Sequence, residues 1–250
     1  MPLFTYRQLK EYSEKYSRLY ASSEPFPSIV IDNFFELNVF DYIHTCFPSP
    51  TSAVWKTPTN SHTISKSVVK RGPTGIKENV LSFNCRSILY QLNSATFHDF
   101  LEDLTGIQGL CPDPYFNEVG FHLSQNTGKL DIHADYSHHD RLGLERRLNI
   151  LIYLNKEWKP EYLGGVGLYS TDLSLVKTIE QIANRFVAFS TSLNSYHGFP
   201  VSIILPQSYI SKHFGRKSIA MYYYTMPTGR TKHKIIFPEG PDFQLVPTQE

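Results

Sequence analysis

The stretch KLDIHADY, residues 129–136, decides how this chain is interpreted. Polar and apolar side chains alternate along it, which is the period-two pattern of a β-strand with one buried face. His133 and Asp135 are two positions apart and therefore point to the same side. An imidazole and a carboxylate side by side can occupy two adjacent positions on one cation. A second histidine from a distant strand would complete a 2-His-1-carboxylate site, which leaves positions open on an octahedral iron.

A second His-x-Asp pair, His138 and Asp140, lies five residues downstream, so the spacing alone does not identify the site. This pair belongs to YSHHDRLGLERR, residues 136–147, which has no strand alternation and the composition of a polar connection. Ligands need a rigid, oriented backbone, and this favours the first pair. We interpret the second pair, with Arg146 and Arg147, as part of a solvated charged loop. The alternative is a lid, or a group that binds a substrate carboxylate.

Further short runs from residue 115 onward indicate a β-rich half of the chain. They are separated by Gly, Asn, Pro or Asp and cover residues 147–155, 164–170, 184–191 and 217–225. Many short strands with such punctuation predict a sandwich or barrel. The fold class is therefore mainly β with α, and aromatic residues at 14% of the chain suit such an interior.

The N-terminal half is predicted to be mostly helical. The expected elements are helices over residues 4–20 and 36–47, a strand near 28–32, a long polar loop over 49–76, and a helix that begins after Asn93 or Ser94, runs to Leu104 and stops before Gly106. No internal repeat or low-complexity linker divides the chain. We therefore predict one domain over 1–250, with helical support in 1–110, a β core in 115–226 and a C-terminal tail in 227–250.

Composition excludes several classes of protein. The 24 Lys and Arg against 23 Asp and Glu give a net charge of +1, which predicts no nucleic-acid or anionic membrane partner. Three separated cysteines without CxxC spacing argue against a disulfide framework or a thiolate zinc site. The N-terminus has no apolar signal region, and no run is apolar enough to span a membrane. A cytoplasmic protein is the expectation, and its oligomeric state is not predicted.

Two more residues carry functional chemistry. His197 ends the run NRFVAFSTSLNSYH, beyond the end of an apolar strand. Arg216 begins the last strand, where it shares a face with Ser218 and Tyr222. A guanidinium that points into a barrel is costly unless a carboxylate meets it. That carboxylate could belong to the protein or to a bound dicarboxylate.

These segments, in this order, resemble the 2-oxoglutarate/Fe(II) dioxygenase superfamily, and within it the prolyl-hydroxylase-like branch, over about residues 24–226. The resemblance implies a double-stranded β-helix, a jelly-roll or cupin-like barrel. It implies that His133, Asp135 and His197 bind Fe(II) and that Arg216 binds the distal carboxylate of 2-oxoglutarate. Tyr153, otherwise a core aromatic, and Ser218 are further candidates for that carboxylate. The implied co-substrates are 2-oxoglutarate and O2, with ascorbate as a supporting reductant.

The activity implied is hydroxylation of an aliphatic C–H bond, with release of succinate and CO2. The substrate would be an amino acid, a small molecule derived from one, or a peptidyl residue such as proline. An intact carboxylate at Asp135 favours hydroxylation over halogenation, since related halogenases replace it with a small residue. The alternatives are desaturation or cyclisation with the same cofactors, or a barrel that binds metal without catalysis.

The chain departs from the family pattern in several places, among them residues 117–119, Asn-Glu-Val, where relatives often carry glycines ahead of the ligand strand. Leu123 stands about where the oxygen-sensing enzymes have an active-site tyrosine, and GGVGLYS, residues 164–170, lacks an acidic residue found in many relatives. Arg216 follows His197 by 19 residues, and residues 202–215 are expected to form an inserted loop. This longer spacing leaves Lys212 as an alternative to Arg216 for the co-substrate.

Overall fold

The structure is a computed structural model that describes residues 1–52, 55, 66–67, 81–116, 118–230 and 232–238. Most of the loop predicted over 49–76, and the end of the predicted tail, residues 239–250, lie outside these described residues. Among the helices that are described, none has both the length and the apolar character needed to cross a bilayer.

The α-helices of the described residues are α1 (Tyr6–Ala21), α2 (Leu37–Cys46), α3 (Phe83–Leu92), α4 (Ala95–Thr105) and α5 (Gln207–His213). Helices α1, α2 and α4 occur where the sequence predicted them. Ser94 caps α4 through its side chain, and Gly106 ends it in the left-handed region, both as predicted. Helix α3 was not predicted; its N-cap is Ser82, and its C-cap is Asn93, immediately before the N-cap of α4.

The strands of the described residues are β1 (Ser28–Ile31), β2 (Lys66–Ser67), β3 (Leu110–Cys111), β4 (Gly120–Ser124), β5 (Leu130–His133), β6 (Glu145–Tyr153), β7 (Val166–Tyr169), β8 (Leu175–Ile179), β9 (Arg185–Ser190), β10 (His197–Phe199) and β11 (Arg216–Thr225). They form two antiparallel sheets. The larger sheet has the order β1-β9-β6-β11-β4-β2, with β3 also paired to β11, and the smaller has the order β5-β10-β7-β8. The two curled sheets make a jelly roll, which confirms the predicted fold class.

The two faces of the larger sheet have different partners. Ile150 and Ile152 of β6 face the N-terminal helices and join their apolar core. There Phe34 stacks on Phe186 of β9, with ring centroids 4.4 Å apart. Tyr153, on the opposite face of β6, packs toward the smaller sheet. The helices therefore cover the outside of the barrel and leave its inner face for the site.

The insertion between His197 and Arg216 was expected to be a loop, but it contains a helix. Helix α5 buries Tyr209, whose ring packs against Trp158 and Tyr162 beside the smaller sheet. The aromatic cluster gives the insertion its own apolar contacts, and this is why it takes a defined structure.

Candidate metal and co-substrate site

The structure brings His133, Asp135 and His197 together. His133 ends β5 and His197 begins β10, and the two residues are paired across these antiparallel strands. One possible ligand atom from each of the three side chains lies within 4.8 Å of the others. The Nε2 atoms of His133 and His197 are 3.6 Å and 3.4 Å from the two carboxylate oxygens of Asp135. All three side chains are buried, and no other such cluster occurs among the described residues.

Asp135 lies two residues beyond the end of β5, but the backbone stays extended up to it. Ala134, between the two predicted ligands, forms an isolated antiparallel bridge with Ile236. Both backbone hydrogen bonds of this bridge are 2.9 Å long. The bridge keeps the backbone extended, so that His133 and Asp135 point to the same side.

Backbone carbonyls orient both imidazoles. Nδ1 of His133 donates to the carbonyl of Asp131, and Nδ1 of His197 donates to that of Ser195, each at 2.9 Å. A carbonyl can only accept, so the proton is on Nδ1 and the lone pair of each Nε2 faces the cluster. Burial lowers the pKa of His197 to about 4, which keeps its ring in the neutral form that binds metals.

Asp135 is supported by two residues of β6. Asn149 donates from Nδ2 to Oδ2 of Asp135 at 2.6 Å, and Nη2 of Arg146 lies 3.0 Å from the same oxygen. Burial alone would raise the pKa of Asp135. The charge of Arg146 is the largest opposing effect, and the pKa of this carboxyl is held well below its usual range. Asp135 is therefore a fixed anion whose Oδ1 faces His133.

The sequence interpretation of Arg146 was wrong. The charged stretch that follows the ligand strand is not a solvated loop at this residue, because Arg146 is 1% exposed and lies in β6. Its guanidinium lies over the rings of Tyr222 and Tyr136, at 3.4 Å and 4.5 Å from their centroids. Nε and Nη2 donate to Asn149, whereas the buried Nη1 has no hydrogen-bond partner.

The second His-x-Asp pair is not in the cluster. His138 forms an isolated bridge with Glu145 and a hydrogen bond of its Nδ1 with Ser137. Its neighbour His139 is buried, and its Nε2 lies 3.1 Å from Asp113. The connection is thus partly buried and structural, rather than solvated throughout.

Arg216 lies inside the barrel at the start of β11 and is 5% exposed. Its Nε donates to Gln181 at 2.8 Å, and its Nη2 donates to the hydroxyl of Tyr153 at 3.4 Å. No Asp or Glu of the described ranges forms an ion pair with it. Lys212, the alternative, is exposed and pairs with Glu157 at 2.7 Å. A buried, unpaired guanidinium is the feature that a bound carboxylate would complete.

A cavity of about 110 Å³ is lined both by the three predicted metal ligands, here called the metal cluster, and by Arg216. Ser218 lines this cavity, and so does His122 of β4, which was not predicted from the sequence. Leu123, which stands about where relatives have an active-site tyrosine, is fully buried in the core on the other face of β4. The one-residue difference changes the face of the strand, and only the pairing of β4 with β11 reveals it.

A second cavity, of about 320 Å³, is also lined by Asp135. Arg146 and the loop 191–194 line it, together with Arg230 and His233 from the end of the described chain. Nε2 of His233 donates a hydrogen bond of 2.9 Å to the backbone carbonyl of Asp135. Phe237 packs against His133, with ring centroids 5.6 Å apart. The predicted tail thus contributes to the walls of the site.

Residues 119–224 match the family model described as the 2OG-Fe(II) oxygenase superfamily. No curated protein has a significantly similar sequence.

Two solved structures show the same fold at low identity. A prolyl hydroxylase from Trichoplax adhaerens, in complex with a peptide fragment of the hypoxia inducible factor oxygen degradation domain, is 16% identical with a TM-score of 0.60. The alignment covers 87% of this chain and 91% of that one. A prolyl-4-hydroxylase from Pseudomonas putida is 13% identical with a TM-score of 0.55, over 84% and 98% of the two chains.

Proposed function

Residues 119–224 match the model of the 2OG-Fe(II) oxygenase superfamily, and the chain has the fold of prolyl hydroxylases; we propose that it is a member of this superfamily and that His133, Asp135 and His197 hold its Fe(II). Membership makes the protein an oxygenase whose cofactors are Fe(II), 2-oxoglutarate and O2. Two neutral imidazoles and one carboxylate are the donor set of non-haem Fe(II) oxygenases, and three ligands leave positions open for other groups. The single observation that carries the assignment is the convergence of these three buried ligand atoms within 4.8 Å.

For the co-substrate, we propose that Arg216 binds the distal carboxylate of 2-oxoglutarate, with Tyr153 and Ser218 beside it. Arg216 has no carboxylate partner among the described residues, and the cavity it lines reaches the metal cluster. Tyr153 is paired with Ser218 on the adjacent strand, so the two side chains lie on the same face of the sheet; Ser218 lines the cavity, and the hydroxyl of Tyr153 accepts a hydrogen bond from Arg216. The three side chains would supply charge and two hydroxyl donors to one end of a dicarboxylate.

The reaction we propose is hydroxylation of an aliphatic C–H bond of an amino acid, a molecule derived from one, or a peptidyl residue of the prolyl kind. Iron and 2-oxoglutarate supply the oxidation: one atom of O2 becomes the product hydroxyl, and the other enters succinate as CO2 leaves. The residues of the chain hold the reactants. The cavity of about 320 Å³ is the place we propose for the substrate, because Asp135 lines it whereas Arg216 does not.

Anaerobic titration tests the cofactor assignment. Wild-type protein with Fe(II) and 2-oxoglutarate should develop the weak visible charge-transfer band of the class and release succinate when O2 and substrate are added. His133→Ala and Asp135→Ala should abolish Fe(II) binding. His138→Ala and Asp140→Ala are the matched controls from the second pair and should retain it. The reverse pattern would show that the pairs were assigned wrongly.

The substrate is tested separately. Incubation with amino-acid, metabolite and proline-containing peptide pools, followed by mass spectrometry, should reveal one component that gains one oxygen atom in step with succinate release. A product that loses two hydrogens instead would replace hydroxylation with desaturation or cyclisation. Full iron and 2-oxoglutarate binding without turnover of any pool would favour the non-catalytic barrel.

A further inference from the structure

Three strands form a polar row across the inner wall of the barrel. His122 on β4 is paired with Ser218 on β11, and Ser218 is paired with Tyr153 on β6. Residues paired across strands lie on the same face. The row is therefore an imidazole, a hydroxyl and a phenol side by side. Along the same two strands, the next pair on this face is Ser124 with Arg216.

His122 has an unused hydrogen-bonding atom in this row. Its Nε2 is buried and has no hydrogen-bond partner. A buried polar atom without a partner is unfavourable, and a native protein rarely keeps one without a reason. His122 lines the cavity that also contains the three predicted iron ligands and Arg216. The residue is thus placed where a ligand of that cavity would meet it.

The charge state of His122 limits what it can do. Burial, and then the nearby charge of Arg216, lower the pKa of His122 to about 4. The ring is neutral near pH 7 and has one N–H to donate. It adds no second positive charge beside Arg216, so its contribution to an anionic ligand is a directed hydrogen bond.

We propose that His122 is a binding residue for the co-substrate and donates a hydrogen bond from Nε2 to an oxygen of 2-oxoglutarate. This inference rests on the proposed function, because it requires 2-oxoglutarate in the cavity. His122 positions the co-substrate and does not hold the metal. Its removal should weaken 2-oxoglutarate binding without changing the affinity for Fe(II).

The experiment compares two substitutions. His122→Leu removes the donor, and His122→Gln keeps an N–H near the same position. The dissociation constant of 2-oxoglutarate is measured without turnover, by anaerobic titration of the Fe(II) protein and calorimetrically on the Mn(II) protein. His122→Leu should raise it about tenfold, and His122→Gln should recover most of the loss. If His122→Leu does not fold, His122→Phe takes its place.

His98→Leu is the matched control. His98 is another buried histidine whose Nε2 has no partner, but it belongs to α4 and packs against Tyr223 on the helical side. Its substitution should lower the melting temperature and leave the 2-oxoglutarate affinity unchanged. If wild type binds 2-oxoglutarate and both His122 variants bind it equally well, the role of His122 is overturned alone. If wild type does not bind 2-oxoglutarate at all, the proposed function fails with it.

Discussion

Nη2 of Arg146 lies 3.0 Å from Oδ2 of Asp135, inside a barrel where both side chains are buried. The contact occupies the Asp135 oxygen that also accepts from Asn149. A buried carboxylate near two histidines is costly when no cation is present. Arg146 supplies that positive charge, and it keeps the carboxylate ionised and oriented.

Substitution of Arg146 should therefore lower both the stability of the protein and its affinity for metal. Arg146→Leu leaves Asp135 as an uncompensated buried charge, and we expect the free energy of unfolding to fall by about 3 kcal/mol or more. Because the oriented carboxylate is also lost, the rise in melting temperature on adding a fixed concentration of Fe(II) or Co(II) should be smaller than in wild type. Metal affinity should fall about 10- to 100-fold.

The adjacent Arg147 provides the control for that experiment. Arg147 is only partly buried and donates to Thr225 at 3.3 Å. Arg147→Leu should change stability by about 0.5 kcal/mol or less and leave metal affinity unchanged. Equal effects of the two substitutions on metal affinity would contradict the role given to Arg146.

Gly198 allows β10 to approach β5 closely enough for the two histidines to meet. A Cβ at Gly198 would lie 2.8 Å from the carbonyl oxygen of Asp131, which is also the acceptor that orients His133. Gly198→Ala should thus displace His133 and lower Fe(II) affinity by about tenfold or more, measured by anaerobic titration.

Gly167, paired with Gly198 on the neighbouring β7, is the matched position. A Cβ there would meet the side-chain atoms of Tyr169 and Leu175, which can move, rather than backbone. Gly167→Ala should retain most of the metal affinity. A loss of the same size as that of Gly198→Ala would point to general destabilisation instead.

Arg216 should control the affinity for 2-oxoglutarate. Arg216→Gln removes a charged, two-pronged donor, and we expect the dissociation constant of 2-oxoglutarate to rise about 100-fold. Arg216→Lys keeps the positive charge but lacks the two parallel N–H donors of a guanidinium. The dissociation constant should therefore rise less, about tenfold. Lys212→Ala, which removes the exposed alternative, should leave the constant within about twofold, as measured by calorimetry on the Mn(II) protein. A large effect of Lys212→Ala would exchange the two assignments.

Acid should destabilise the metal-free protein through its buried histidines. Burial lowers the pKa of His98 below the ordinary value of 6.5. The unfolded chain then binds more protons than the folded one in this pH window. The free energy of unfolding is therefore unaffected by His98 above pH 6.5 and decreases as the pH falls toward the pKa of His98 in the folded protein. Urea midpoints should decrease from about pH 7 to 5, less steeply in His98→Leu. Parallel curves for the two proteins would exclude His98 as a contributor.

Local patterns in the sequence predicted much of the fold. Alternation and apolar runs predicted the strands that contain His133 and Arg216, and Ser94 with Gly106 marked the ends of α4. The short strand β10 was not predicted, because His197 was placed beyond the end of the preceding apolar strand. The face of Arg146 could not be predicted in this way. Strand alternation would place Arg147, two residues before Asn149, on the same inward face as Asn149. A register shift in the pairing of β6 with β11 places Arg146 on that face instead. Bulges and pairing partners depend on distant strands, so His122 and Arg146 required the folded structure.

The segment 232–238 contacts the first two residues of the His133–Asp135 segment: Ile236 forms a backbone bridge with Ala134, and Phe237 packs against His133. During synthesis, all three proposed iron ligands are therefore made well before the segment that forms the wall beside them. Metal captured at that stage would be exposed to exchange. Secure loading should come only after synthesis has passed residue 237, which makes iron retention a late event in the maturation of this protein.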